Sequence, residues 1–321
     1  MNESRTTDVL TLGETMVRLV PRGFTRLEEA QELECRTGGS ESNVAVALAR
    51  LGLRAAWISK LPANPLGVMI ERRIRSFGVD TSHVLWEEGG RAGVYFIEPA
   101  APPRPARVLY DRAHSSASRI SPAAVDWSLL DAVRHVHLTG ITVALSDSCR
   151  ATVARALAEA RSRGCSTSFD VNYRARLWSA EAARQALEPL LAGVELLITP
   201  LADAQLLWGL PADGEAAAAA LRERFGAGVV AVTRGAEGAL CHDGQVRSAA
   251  SFPLREVDRV GAGDAFDAGL LFGFLRGDLD QGLAYGMAMA ALKHSIPGDE
   301  FVATREEVES LLAGASREIH R

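Results

Sequence analysis

The chain has 321 residues, 47% of them hydrophobic and 23% charged, with a formal net charge of −5. That balance is ordinary for a soluble α/β protein of one large or two smaller domains, and it argues against nucleic acid as a main partner. Met1 to Asp8 is polar, without a signal-peptide core, and the apolar stretch Ala265 to Leu275 is broken by Asp267 and glycines, so no membrane span is expected. Cys35, Cys149, Cys165 and Cys241 are scattered without C-x-x-C spacing, as reduced cytoplasmic thiols would be.

Val9 to Leu12 reads as a short core strand, and Thr15 to Val20 alternates like a half-exposed one. Beyond the small, polar run Thr37 to Asn43 a helix is expected, with Val44, Leu48 and Leu51 on one face and Gly52 closing it. Ala55 to Ser59 is the next strand, and Leu66 to Phe77 a helix ended by Gly78. Residues 93–97 and 107–110 are strand-like and are joined by the proline-rich 99–105 stretch, a hairpin-like excursion. Together, about 14–36 and 89–112 predict a small sheet projecting from the main body of a single domain spanning 1–321.

Strand–helix alternation then resumes. Strands are predicted at 133–138, 167–171, 195–199 and 229–233, and helices at 148–163, 180–191, 203–208 and 215–225. Leu240 to His242 and Gln245 to Arg247 read as a hairpin with a type I′ turn at Asp243-Gly244. Three helices close the chain, the first directly after Gly263. Repeated β-α units imply a mainly parallel sheet with helices on both faces. His135 and His137 share one face of their strand, but zinc would need further ligands that no cluster supplies.

The stretch Asp258-Arg259-Val260-Gly261-Ala262-Gly263-Asp264 combines small residues, an acid and a helix start. Backbone N–H groups can crowd round an anion there, aided by the unpaired amides and dipole of the helix. Asp264 at the mouth suits a general base acting on an attacking hydroxyl. By itself the stretch reads more readily as a tight turn with Asp264 as an N-cap. Ligands of such sheets bind beyond the carboxyl ends of the strands. Gly13-Glu14, Asp170 to Arg174, Thr199-Pro200 and Thr233-Arg234-Gly235 would line that same edge, which favours a site.

Gly38-Gly39 followed by Asn43, paired with Gly261 to Phe266 and the upstream Asp258, resembles the two signatures of the ribokinase/PfkB-type carbohydrate kinases. The likeness runs from Val9 to about Leu312. It implies a ribokinase-like fold with a small β-sheet lid, and ATP-dependent phosphorylation of a sugar hydroxyl. It casts Asp264 as base and the amides of Gly261, Ala262 and Gly263 as the anion hole, with Thr233 and Gly235 beside the nucleotide. Mg²⁺ is implied, held mostly through water, with a monovalent cation as an optional companion. Pro200 and Asp203 replace the Asn and Glu of the family's Asn-x-x-Glu, so Asp203 is the carboxylate left to act on a metal through water. Arg259 stands in place of a usual threonine.

Three stretches, Leu12-Gly13-Glu14, Tyr110 to Ser118 and Asp170 to Trp178, are most similar to 2-keto-3-deoxygluconate kinases. A sugar acid needs a fixed cation, which arginine supplies in planar form. The resemblance places Arg112 and Arg174 on substrate, with Gly38, Gly39, Asn43, Tyr95, Tyr110 and Asp299 around it. His114 lies beside Arg112 as a further candidate. Alternatives at this point are a kinase for a neutral sugar such as fructose or ribose, or a non-catalytic sugar-acid sensor, for which Pro200 is the support. Apolar Val94, Phe96 and Leu109 on the small sheet suggest a homo-oligomer joined through that face.

Overall fold

A computed structural model describes residues 5–101 and 103–314. The chain opens with β1 (Thr7–Leu12), β2 (Met16–Pro21), β3 (Leu33–Gly38), α1 (Ser40–Arg50), β4 (Ala55–Ile58), β5 (Lys60–Pro62) and α2 (Pro65–Arg75). Then come β6 (Leu85–Glu87), β7 (Val94–Glu98), β8 (Arg107–Asp111), β9 (Val133–Thr139), α3 (Gly140–Leu145), α4 (Asp147–Ser162) and β10 (Ser166–Asp170). The next part holds α5 (Ala180–Leu191), β11 (Leu196–Pro200), α6 (Leu201–Trp208), α7 (Gly214–Phe225) and β12 (Val229–Thr233). The last elements are β13 (Ala239–His242), β14 (Val246–Ala249), α8 (Ala262–Phe274), α9 (Leu279–His294) and α10 (Arg305–Leu312).

Eight strands form one sheet in the order β14-β13-β12-β11-β10-β9-β1-β4. Strands β12 through β4 run parallel, and β13 and β14 add an antiparallel edge. Parallel strands covered on both faces read as continuous apolar runs. Alternate residues go to opposite layers. Val9, Leu196 and Ile198 join the layer of α1, α8 and α9, whereas Leu10, Leu197 and Val230 join that of α4 and α5. A separate four-stranded sheet, β3-β2-β7-β8, is antiparallel except for the β2–β7 pair. The small parallel pair β5-β6 stands apart.

The α/β expectation and the excursion hairpin hold. Several local expectations need correction. The small-sheet expectation over about 14–36 does not single out β3, because Leu33, Glu34 and Cys35 are all exposed and show no alternation. Helix α1 starts at Ser40 rather than Val44, with extended Gly39 as its N-cap. The β13–β14 connection is not a two-residue type I′ turn. His242 pairs with Val246 across three residues, and of the loop only Gly244, at φ 116°, lies in the left-handed region. Both ring nitrogens of His135 and one of His137 meet the Ser166 or Ser168 hydroxyls, and burial holds both rings down at about 3. They are neutral core histidines.

Candidate active site

The parallel strands deliver their carboxyl ends to one edge. β10 ends at Asp170, and the chain turns at Asn172, which takes φ 42°. The Asn172 side-chain amide donates to Ser40 Oγ at 3.0 Å, and Ser40 in turn donates to Asp264 Oδ1 at 2.6 Å. Asn43 Nδ2 donates to Asp264 Oδ2 at 2.6 Å. The first turns of α1 and α8 thus face each other, with Asp264 clamped between them. Asp264 is the third residue of α8, whose N-cap is Gly261. Its carboxylate therefore serves the cleft and not the helix cap.

Burial pushes the Asp264 carboxyl above the usual carboxylate range, against the pull of its two donors. One turn further along α8, Asp267 meets Asp170. Burial raises both: Asp170 goes to about 7, with the fields of Asp264 and Asp203 adding to burial, and Asp267 goes well above its ordinary value, with Asp170 and Asp264 adding to it. The pair keeps a proton at neutral pH and limits the negative charge around Asp264.

Gly261 takes φ 84°, and a Cβ there would overlap the Asp299 carbonyl oxygen, so only glycine fits. Among the described residues the amides of Gly261, Gly263 and Asp264 donate to no protein acceptor, whereas that of Ala262 turns back to the Arg259 carbonyl at 3.3 Å. A Cβ on Gly263 would meet only open space. Free amides, a helix start and open room fit a phosphate.

The expected substrate residues divide into two groups. Arg174 follows β10, is exposed, forms no ion pair among the described residues, and its charge reaches Asp170, Asp203 and Asp264. Arg112 instead pairs with buried Glu14 through Nε at 2.8 Å and Nη2 at 2.5 Å. Asp299 accepts from the Tyr95 hydroxyl at 2.6 Å and from Arg18. A Cβ on Gly38 would overlap both the Tyr95 hydroxyl and the Asp299 carboxylate, and one on Gly39 would overlap the Glu14 carbonyl. Tyr110 stacks on Tyr95, with 5.8 Å between ring centroids, and is 43% exposed. His114 is exposed at φ 57°.

Thr233 pairs in register with Pro200, two strands from Asp170, and Gly235 begins an exposed turn at φ 57°. Asp203, in the first turn of α6, accepts the Tyr173 amide at 3.2 Å and is raised by burial. No cluster of three or more metal-ligating side chains stands among the described residues. The Asp203 carboxylate is a hard oxygen donor of the kind Mg²⁺ takes, so the residues present fit an ion that would be held mainly by nucleotide phosphates and water.

Ser40, Arg18 and Asp267 are absent from the sequence expectations for the site, which hold Glu14, Asp170 and Asn172 only as part of its edge. A signal existed for two of them. Arg18 interrupts the apolar run Met16-Val17-Arg18-Leu19-Val20, and Asp267 interrupts Ala265 to Phe274. Charges inside buried elements carry a partner or a task.

The pfkB family carbohydrate kinase profile matches residues 6–303. A 2-dehydro-3-deoxygalactonokinase of Haloferax volcanii is 41% identical over 98% of this chain and 100% of its own length. A 2-dehydro-3-deoxygluconokinase of Thermoproteus tenax is 34% identical over 95% of this chain and 94% of its own. The crystal structure of 2-dehydro-3-deoxygluconokinase from Thermotoga maritima superposes with a TM-score of 0.90 at 36% identity, covering 96% of this chain and 98% of that one. No described helix is long and apolar enough to cross a membrane. With that fold, a clamped carboxylate and open amides at a helix start, the chain belongs to the pfkB family of carbohydrate kinases.

Proposed function

We propose that the protein transfers the γ-phosphoryl group of ATP to the terminal hydroxyl of 2-keto-3-deoxygluconate. The observation that carries this reading is the Asp264 carboxylate, fixed by Ser40 and Asn43 beside the unpaired amides of Gly263 and Asp264. A hydroxyl placed between them gives its proton to Asp264 as its oxygen attacks phosphorus, and the amides hold the charge on the phosphoryl oxygens. A bound Mg²⁺ supplies charge neutralisation on the phosphates.

Arg174, a cation of the cleft without an ion pair among the described residues, takes the substrate carboxylate. Arg112 does so only in part, since Glu14 already engages it, and its Glu14 pair orients the neighbouring wall. Gly38, Gly39, Tyr95, Tyr110 and Asp299 form that wall, with the small sheet as a lid. Thr233 and Gly235 border the nucleotide. The resemblance to a 2-dehydro-3-deoxygalactonokinase supports a second reading in which the 4-epimer is used as well.

ADP release with ATP and a panel of 2-keto-3-deoxygluconate, its galactonate epimer, fructose and ribose tests the proposal. Turnover confined to the acids is expected. Preference for a neutral sugar, or no turnover at all, rejects it.

A further inference from the structure

Lys293 sits in the last turn of α9 and is fully buried, an unusual place for an ammonium group. Its helix cannot give way. Cβ atoms on Gly269 or Gly273 would overlap the backbone of Gly286 or Gly282, so α8 and α9 are in main-chain contact. A buried charge costs several kcal/mol unless it is matched. No carboxylate touches this ammonium among the described residues. Nζ donates instead to the Ile296 carbonyl at 2.9 Å and to the Asp258 carbonyl at 3.5 Å.

Those bonds fall on the entrance to the anion loop. The Asp258 amide donates to the His294 carbonyl at 3.1 Å, so both backbone groups of Asp258 are held by the end of α9. The Asp258 carboxylate accepts the amides of Val260 at 3.1 Å and Gly298 at 2.9 Å, and pairs with Arg18. Arg18 also pairs with Asp299, whose carbonyl backs Gly261. Two acids, Asp258 and Asp299, are thus balanced by two bases, Arg18 and Lys293. Burial pulls the Lys293 ammonium down from its ordinary value, and the fields of Asp258 and Asp299 oppose that pull.

A neutral side chain of similar length would fill the same space without the cost of burial. The charge therefore has a use. We infer that Lys293 is a positioning residue for phosphoryl transfer, an internal cation that shapes the 258–264 loop from behind and adds positive potential where the phosphates dock. The proposal rests on the kinase reading for its substrate, and on the loop geometry for everything else.

Lys293→Met keeps the volume and removes the charge. Circular dichroism and Tm establish that it folds, and calorimetry with inorganic tripolyphosphate reads the loop without any turnover. The expected result is binding weakened by about tenfold to a hundredfold, with kcat/KM for ATP reduced alike and KM for the sugar acid little changed. In Lys293→Ala, methylammonium should restore part of the lost binding. Equal tripolyphosphate binding by wild type and Lys293→Met overturns the proposal, as does a loss in Lys293→Ala that methylammonium leaves unchanged. A wild type that binds tripolyphosphate but phosphorylates no sugar rejects the kinase reading and leaves this comparison intact.

Discussion

Asn43 and Asp264 lie 221 positions apart, yet the Asn43 side-chain amide donates to the Asp264 carboxylate at 2.6 Å. Two helix starts from opposite ends of the chain therefore hold one catalytic candidate. Asp264→Asn should lower kcat by about 10²- to 10⁴-fold, the usual worth of a general base. Folding should survive, since Asn43 has a buried and unpartnered Oδ1 that can turn to meet the new amide. Sugar binding measured by calorimetry should change little, and undiminished turnover would remove Asp264 from the role.

Arg174 stands without a carboxylate partner among the described residues, whereas Arg112 is tied to Glu14. Arg174→Ala should raise KM for the sugar acid by about tenfold or more, given that charge-assisted bonds are worth roughly 1.5–3 kcal/mol. KM for a neutral sugar should hardly move. The check is a pair of saturation curves on the same preparation. Parallel shifts in both would mean that the arginine supports the site without meeting the substrate's charge.

Arg18 is the cation shared by Asp258 and Asp299. Arg18→Met leaves those acids with Lys293 as the remaining buried base. Breaking a buried pair of this kind costs about 3–5 kcal/mol, so a lower urea midpoint and a weaker KM for ATP should appear together. Loss of stability without any change in nucleotide binding would separate the network from the loop.

Burial raises the Glu41 carboxyl from 4.5 to about 7, although Thr139 and Thr142 donate to it. Because the folded value lies above the unfolded one, the folded state binds the extra proton. The stability this brings is full below the unfolded pKa and is lost as pH rises through about 7. Glu41→Gln should therefore gain on wild type between about pH 5 and 8, by up to roughly 3 kcal/mol at 1.36 kcal/mol per unit. Asp8 and Glu87, lowered to about 2 chiefly by hydrogen bonds from Arg54 and Arg119, act in the opposite sense. Their contribution is present above the unfolded carboxylate range and fades as pH falls toward 2. Chemical denaturation of both proteins across the pH series checks the sign, and a constant difference between them would refute it.

What the sequence revealed was local. Helix α5 is expected over 180–191 and forms over Ala180–Leu191, where Ser179 caps it by accepting the Ala182 amide. The anion loop was legible because its glycines, its acid and its helix lie within a few residues. Strand order was not legible, since β1 lies between β9 and β4 and pairs with neither β2 nor β3, the strands that follow it in the chain. Arg18 binds partners 240 and 281 residues away, and Glu14 meets Arg112 across 98. Such pairs leave no period or spacing, only an out-of-place charge. Arg112, which the resemblance places on substrate, also faces such an out-of-sight acid in Glu14.

A Cβ on Gly38 would run into the carboxylate of Asp299, and one on Gly261 into its carbonyl. The wall around Gly38 and the 258–264 loop therefore rest on a single common abutment. A methyl group added at either glycine would be transmitted through that residue to the other half of the cleft. On the proposed reading, a change that alters the sugar wall at Gly38 is therefore felt, through Asp299, where the nucleotide phosphates would sit.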